Sequence, residues 1–278
     1  MRITRLGQGI DRSGRLGAEG VRRTVMVLEE YRAVMEDLGV SAGRAVATSA
    51  VRDAANASQF LDAAEQASGL RPELLSGDEE GRLAFAGATA ELDPAGGPYL
   101  VLDLGGGSTE LIFPRPAEEG PGLVVHSLDM GCVRMTERFL HHDPPSAHEL
   151  DEARDAVRRL LETRVGASAR PRAATLVGLA GTVSTLAAMD QGLEHYDRGR
   201  IHHYVLTLDA VRGLLSQMAV LDRASRGRCR GLEAGRADVI VGGALVLTTV
   251  MEQLGFDACL VSESDILDGV VASLRGAS

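Results

Sequence analysis

Residues 100–113 read LVLDLGGGSTELIF, two apolar β-type runs joined by a turn that holds Gly105, Gly106 and Gly107. Asp103 lies near the end of the first run, Glu110 lies near the start of the second, and Ser108 and Thr109 complete the turn. A strand on each side makes this stretch a hairpin. A dinucleotide fingerprint requires a helix after its glycines, and a P-loop requires a lysine, which this chain lacks altogether. Glycines in a hairpin let backbone N–H groups converge on an anion with no side chain in the way. Ser108 and Thr109 add hydroxyl donors. Two carboxylates would repel phosphate, so Asp103 and Glu110 are read as ligands of a hard cation, foremost Mg²⁺, that bridges to phosphate oxygens. The alternative is a plain tight hairpin with two solvated acids, but such a turn needs only one or two special residues.

Outward from the hairpin, three strand-like runs follow in quick succession over 99–105, 109–113 and 122–130. Ser146 and Glu149 form a capping-box pair for a helix reaching Val165. Residues 173–181 read as a strand feeding a helix at Thr182, 238–254 as a buried helix, 258–262 as a strand and 265–274 as a closing helix. The first half alternates α-β-α-β-α. Val21, Val25, Leu28, Tyr31, Met35 and Leu38 make one helical stripe stopped by Gly39, and Asn56 is placed to cap a helix running to Ala67. Side by side, the first half matches the second with its opening three strands removed, the pattern of a duplicated α/β domain. The domains are read as 1–96 and 97–278, with a terminal helix near 264–278 packing on the first.

The composition supports aliphatic cores: 45% of the 278 residues are hydrophobic, only 3% are aromatic and tryptophan is absent. A net charge of −10 excludes a general nucleic-acid or membrane-surface binder, which needs a basic face. Cys132, Cys229 and Cys259 are odd in number and scattered, as reduced thiols of a cytoplasmic protein are. The uncharged run 173–189 approaches the length of a membrane span, but its glycines and hydroxyls suit a strand, a turn and a helix start.

Further candidates lie outside the hairpin. Glu79 and Glu80 fall in the first turn of a helix, where the macrodipole favours carboxylates and keeps a glutamate ionised and able to accept a proton from water. Arg52 leaves a strand end from which a guanidinium reaches bound phosphate, although a lone loop arginine is commonly a solvated charge. Gly178, Gly181 and Thr182, within GLAGTVST, form a strand, a turn and a helix N-terminus suited to an anion or nucleotide. The pairs His141–His142 and His202–His203 are assigned loop and packing roles because adjacent side chains diverge. Arg226, Arg228, Arg230 and Arg236 make a basic stretch that suits a polyanion track or, equally, a solvated loop.

The ordered stretches ATSAVRDAAN, LLSGDEEGRLAFAG, LVLDLGGGSTELI, MGCVRMTERF, LVGLAGTVSTLAAM, IHHYVLT and GRADVIVGGALVL resemble the Ppx/GppA phosphatases, exopolyphosphatases and guanosine pentaphosphate phosphohydrolases of the actin-like ATPase superfamily. The resemblance covers nearly the whole chain and is to the short two-domain form. It implies two ribonuclease-H-like domains with the active site between them. It also implies a Mg²⁺-dependent hydrolase that releases terminal phosphate from inorganic polyphosphate or guanosine pentaphosphate, with a homodimer among its expected states. By this resemblance Glu80 matches the base that activates water, and Asp103 and Glu110 match residues associated with Mg²⁺ and the attacking water. Arg52 matches a phosphate-binding arginine, and Gly178, Gly181 and Thr182 match a nucleotide-binding loop. Such proteins begin with a D-x-G-S-N-S/T hairpin, the first-domain counterpart of residues 103–110, and this chain opens in the stretch that follows it. The resemblance therefore leaves a second reading open, a protein that binds polyphosphate or a nucleotide with impaired catalysis. An ATP-using kinase of the same superfamily is argued against by the SGDEE and VRDAAN stretches.

Overall fold

The computed structural model describes residues 2–115, 122–166 and 174–276. Two compact units emerge, Met1–Glu80 with Val270–Ser278, and Gly81–Gly269. The chain is α/β throughout, as its alternation of periods requires.

The first unit runs α1 (Ile10–Ser13), α2 (Ala18–Asp37), β1 (Val46–Ala47), α3 (Ser49–Arg52), α4 (Ala57–Ser68), β2 (Glu73–Leu74) and the start of α5 (Gly77–Thr89). β1 and β2 pair in parallel, with Val46 opposite Glu73 and Ala47 opposite Leu74. A small core of Ile10, Leu16, Ala47, Val51, Ala54, Phe60 and Ala64 takes Val21 and Leu28 from α2. The rest of the α2 stripe differs from its sequence reading: Tyr31 is exposed and Leu38 is 74% exposed, so the stripe covers the core only near its start. Gly39 does stop the helix, at a φ of 63° that suits glycine. Asn56 stands at the N-cap of α4 without capping it. Its amide instead clasps the main chain of Leu16, accepting from N–H at 2.8 Å and donating to C=O at 3.1 Å.

The second unit continues α5 and adds β3 (Tyr99–Leu104), β4 (Thr109–Pro114), β5 (Leu123–Leu128), α6 (Cys132–Phe139), α7 (Ala147–Arg164), β6 (Thr175–Leu179), α8 (Ala180–Asp190), α9 (Arg198–Ile201), β7 (Val205–Thr207), α10 (Leu208–Ala219), α11 (Arg223–Arg226), α12 (Ile240–Leu254), β8 (Ala258–Val261) and α13 (Ile266–Gly276). Its sheet has the order β5-β4-β3-β6-β8-β7, with β3, β6 and β8 parallel and the flanking strands antiparallel. One face carries the large aliphatic core, including Leu100, Leu102, Leu111 and Leu176 against α6, α7, α8 and α12. The other face packs Val101, Ile112, Val177 and Leu179 against Ala84 and Ala88 of α5. Burial on both faces explains why β3 and β4 read as continuous apolar runs without alternation. It also explains why α5, from Gly81 onward, clusters with the second unit, sixteen residues ahead of the boundary read from sequence. The last residues of α13 cluster with the first unit, where Ser273 Oγ accepts from Arg44 at 3.0 Å.

The uncharged run at 173–189 resolves into β6 and α8, residue 173 lying outside the described residues, and no described helix is long and apolar enough to cross a membrane. α12 is buried on all sides from Ile240 to Met251, as its uniformly apolar sequence demands. The Ser146–Glu149 capping box forms at the start of α7.

Candidate functional site

Antiparallel pairing of β3 with β4 sets Asp103 directly opposite Glu110, and the next strand sets Ser127 opposite Glu110. Residues paired across a sheet project from the same face, so the two acids stand side by side. Both are buried, and Ser127 Oγ donates to Glu110 at 2.7 Å. The donors are hard oxygens from adjacent carboxylates, a set that suits a hard cation such as Mg²⁺.

Between them, the glycine turn faces the N-terminus of α6. Cys132 N–H donates to the carbonyl of Gly105 at 2.9 Å, Val133 and Arg134 N–H to that of Gly106 at 3.0 and 3.2 Å, and Gly131 N–H to that of Gly107 at 3.2 Å. These bonds satisfy the first amides of α6, which has no side-chain cap. A trans peptide holds its C=O and N–H antiparallel. The three carbonyls point at α6, so the N–H groups of Gly106, Gly107 and Ser108 point together the other way. Among the described residues none of these three N–H groups donates to a protein acceptor. The three amides thus face away from α6, an orientation imposed by a helix that the turn itself caps.

Two kinds of glycine meet at this corner. A Cβ on Gly131 would lie 2.3 Å from the carbonyl oxygen of Gly106, so glycine is required there for close approach. A Cβ on Gly106 would meet only Val133, at an ordinary 3.5 Å, and Gly106 is exposed with no positive φ. The fold leaves room for a side chain at Gly106, and the chain keeps that room empty. The two hydroxyls of the turn are both buried. Thr109 donates inward to the carbonyl of Met130 at 3.1 Å, so its hydroxyl serves the hairpin itself.

Arg52 and Glu80 come together in the first unit. The Arg52 Nη1 donates to the carbonyl of Leu75 at 2.7 Å and lies 3.4 Å from the Glu80 carboxylate. Glu80 is 7% exposed. Burial pushes its carboxyl above the usual glutamate range, against the opposing pull of Arg52 and of the Thr48 hydroxyl. That direction corrects the expectation that the helix terminus alone would keep it readily ionised. Glu79 is different: it accepts from Ser76 N–H at 2.9 Å and Ser76 Oγ at 2.8 Å while its own N–H returns to Ser76 Oγ. Glu79 is a helix cap, a role that Glu80 does not share.

Gly178, Gly181 and Thr182 lie at the β6–α8 junction. Ala180 there adopts φ 68°, and a Cβ on Gly181 would sit 2.1 Å from the guanidinium of Arg236, which therefore lies flat over the bare glycine. Thr182 is buried beside Cys132. Gly178 is packed against Cys259.

The arginines of the basic stretch are not equivalent. Arg226 is buried and donates to the carbonyls of Ala237 and Leu221 and to Asp143, all within 2.8 Å. Arg230 pairs with Glu194, Arg228 reaches Ser225 and Arg236 pairs with Glu233. Of the histidine pairs, His142 with its loop is tied to Glu149. His202 and His203 do not diverge. A positive φ of 62° at His203 folds the chain so that the rings stack, with centroids 3.8 Å apart. With Glu91 they form the one group among the described residues whose ligand atoms all lie within 4.8 Å of one another, as a metal site requires.

A parallel three-strand centre, a glycine hairpin and two buried acids paired across it together define the candidate site of this α/β protein. The sequence matches the Ppx/GppA phosphatase family over residues 1–276, and the chain belongs to that family. It is 39% identical over 284 residues to a Mycobacterium tuberculosis protein named exopolyphosphatase 2, covering 99% of this chain and 88% of that one. A crystal structure of an exopolyphosphatase-like protein superposes with a TM-score of 0.94 at 34% identity, covering 100% of this chain and 91% of that one. A Ppx/GppA family member from Aquifex aeolicus gives 0.80 at 32%, covering 100% and 89%.

Proposed function

We propose that this protein is a Mg²⁺-dependent phosphoanhydride hydrolase that releases terminal phosphate from inorganic polyphosphate, with guanosine pentaphosphate as the second substrate to test. The observation that carries this reading is the set of three amides, Gly106, Gly107 and Ser108, aimed away from α6 and, among the described residues, without a protein acceptor. Their role is to receive phosphoryl oxygens, as converging backbone donors do. Asp103 and Glu110 would hold the cation, which supplies charge neutralisation and a fixed orientation for the phosphate chain. Arg52 contributes a guanidinium to phosphate, and its existing hold on the Leu75 carbonyl keeps it pre-organised. Glu80 takes the proton from water as its oxygen attacks the terminal phosphorus, and the phosphoanhydride oxygen leaves with the shortened chain. A carboxylate whose proton affinity is raised by burial is a better base for that step than a solvated one. Gly178, Gly181 and Thr182 are assigned to the nucleotide end of guanosine pentaphosphate. Polyphosphate is placed first because of the names carried by the relatives, since the arginine stretch lends it no support.

Each unit is taken as a ribonuclease-H-like domain of the actin-like superfamily. In the second, the antiparallel β3, β4 and β5 followed by parallel β6 and β8 support that reading. Three free cysteines, two of them buried, support a cytoplasmic setting. Phosphate release from polyphosphate in the presence of Mg²⁺ tests the proposal. Release that stops on chelation is expected, and Mg²⁺-dependent binding with no release would select the binding-only reading.

A further inference from the structure

The chain leaving β8 runs beside the start of α8, because Gly178 pairs with Val261 and Ser262 N–H donates to the Gly178 carbonyl at 2.9 Å. Glu263 then accepts a hydrogen bond from Ser184 Oγ of α8. No described cation forms an ion pair with that carboxylate. The segment is tied down further by Ser262 Oγ, which donates to the Ser264 carbonyl at 2.8 Å, and by Arg198, which donates to the Glu263 carbonyl at 3.5 Å. The remaining anchor is a histidine: Glu263 N–H donates to Nδ1 of His202 at 3.0 Å, and His202 Nε2 lies 3.2 Å from Glu91.

A neutral imidazole carries one N–H. With Nδ1 accepting from a backbone amide, the proton resides on Nε2 and is donated to Glu91. Both ring nitrogens are thereby engaged, and a metal at Nε2 would have to drive the proton onto Nδ1, where it would oppose the Glu263 N–H. The stacking of His203 is also unsuitable. Lone pairs lie in the ring planes, so rings inclined by only 28° with centroids 3.8 Å apart do not converge on an ion about 2.0–2.1 Å from each nitrogen. As arranged, Glu91, His202 and His203 do not fit a metal. They fit a device for holding main chain.

We propose that His202 is a positioning residue. Its Nδ1 fixes the Glu263 main chain, the Glu263 carboxylate fixes Ser184, and α8 is held at the carboxyl end of β6. What that hold protects is local. Ala180, the first residue of α8, sits at φ 68°, a left-handed conformation that is strained for a non-glycine residue and kept only where neighbours enforce it. Gly181 follows with the Arg236 guanidinium seated on it. The kinetic half of this inference rests on the hydrolase reading above; the structural half does not.

The test compares three variants of the full chain. His202→Asn places a polar atom near Nδ1, His202→Gln places one near Nε2, and His202→Leu supplies neither. Hydrogen exchange over residues 259–265 is read alongside kcat and KM on polyphosphate with Mg²⁺. The expected result is that His202→Asn keeps Glu263 amide protection and turnover near wild type. His202→Gln and His202→Leu should exchange faster and lose kcat by roughly ten- to a hundred-fold, the worth of a small misplacement, with KM moving less. Equal losses in His202→Asn and His202→Gln would overturn the proposal, as would wild-type exchange in all three. Should His202→Leu fail to fold, the Asn and Gln pair still decides. A wild-type protein that releases no phosphate would sink the hydrolase reading, and the exchange comparison would then judge His202 alone.

Discussion

The two units place their candidate site residues on different supports. In the second, Asp103 and Glu110 are fixed by strand register inside a six-stranded sheet, and the turn between them is fixed by four backbone bonds to residues 131–134. In the first, the sheet is a pair of two-residue strands, and Arg52 and Glu80 are held by side-chain contacts to Leu75, Thr48 and each other. A main-chain site tolerates side-chain change but not a shift of backbone. A side-chain site is the reverse. The difference implies that function in the first unit should fall to single conservative substitutions that leave stability alone, whereas in the second unit stability and function should be separable only at chosen glycines.

The largest expected effect is at Glu80. Glu80→Gln keeps the shape, removes the proton acceptor and should lower turnover by roughly 10²–10⁴-fold, the usual worth of a general base, with the melting temperature near wild type. Turnover within a few-fold of wild type would remove Glu80 from the role. Next comes Gly131→Ala, whose Cβ would enter the Gly106 carbonyl at 2.3 Å. Forcing α6 off the turn should cost about 1–3 kcal/mol in denaturant unfolding and reduce activity together with stability. Gly106→Ala is the matched control in the same corner. Its Cβ has room, so unfolding should shift by less than about 1 kcal/mol while KM for polyphosphate rises. A Gly106→Ala protein with unchanged kinetics would break the claim that this room is kept for a ligand.

The smallest effect concerns acid stability. Against burial, which alone would raise it, hydrogen bonds from Ser146, His142 and His141 draw the Glu149 carboxyl down to about 2. A folded value below the unfolded one contributes stability that is complete above the ordinary range near 4.5 and is lost as pH falls toward 2. Glu149→Gln should therefore be less stable than wild type at neutral pH, and the gap should narrow between pH 4.5 and 2. A constant gap across that window would show that the charge is not responsible.

Much of this was legible in the sequence, and the illegible parts share a cause. The hairpin, the buried α12, the Gly39 stop and the Ser146–Glu149 box are signalled by residues within a few positions of one another. The capping of α6 by residues 105–107 joins stretches some twenty-five residues apart, so no local pattern announces it. Helix position alone does not separate Glu79 from Glu80; the bonds of Ser76 to the first do. Arg226 read as surface charge because nothing local announces that the carbonyls of Leu221 and Ala237 converge on it. The stacking of His202 and His203 depends on a left-handed residue that is not glycine, which sequence rules assign the opposite way. β7, an antiparallel edge strand of three residues, is defined by its pairing with the distant β8, which no local pattern announces.

The central claim is that the amides of Gly106, Gly107 and Ser108 receive phosphate. Nuclear magnetic resonance of ¹⁵N-labelled protein titrated with tripolyphosphate and Mg²⁺ addresses it atom by atom. The account predicts large, saturable shifts at those three amides, with smaller ones at Cys132, Val133 and Arg134, whose N–H groups are already bound on the opposite side of the turn. Saturable binding that leaves Gly106, Gly107 and Ser108 unmoved would contradict it.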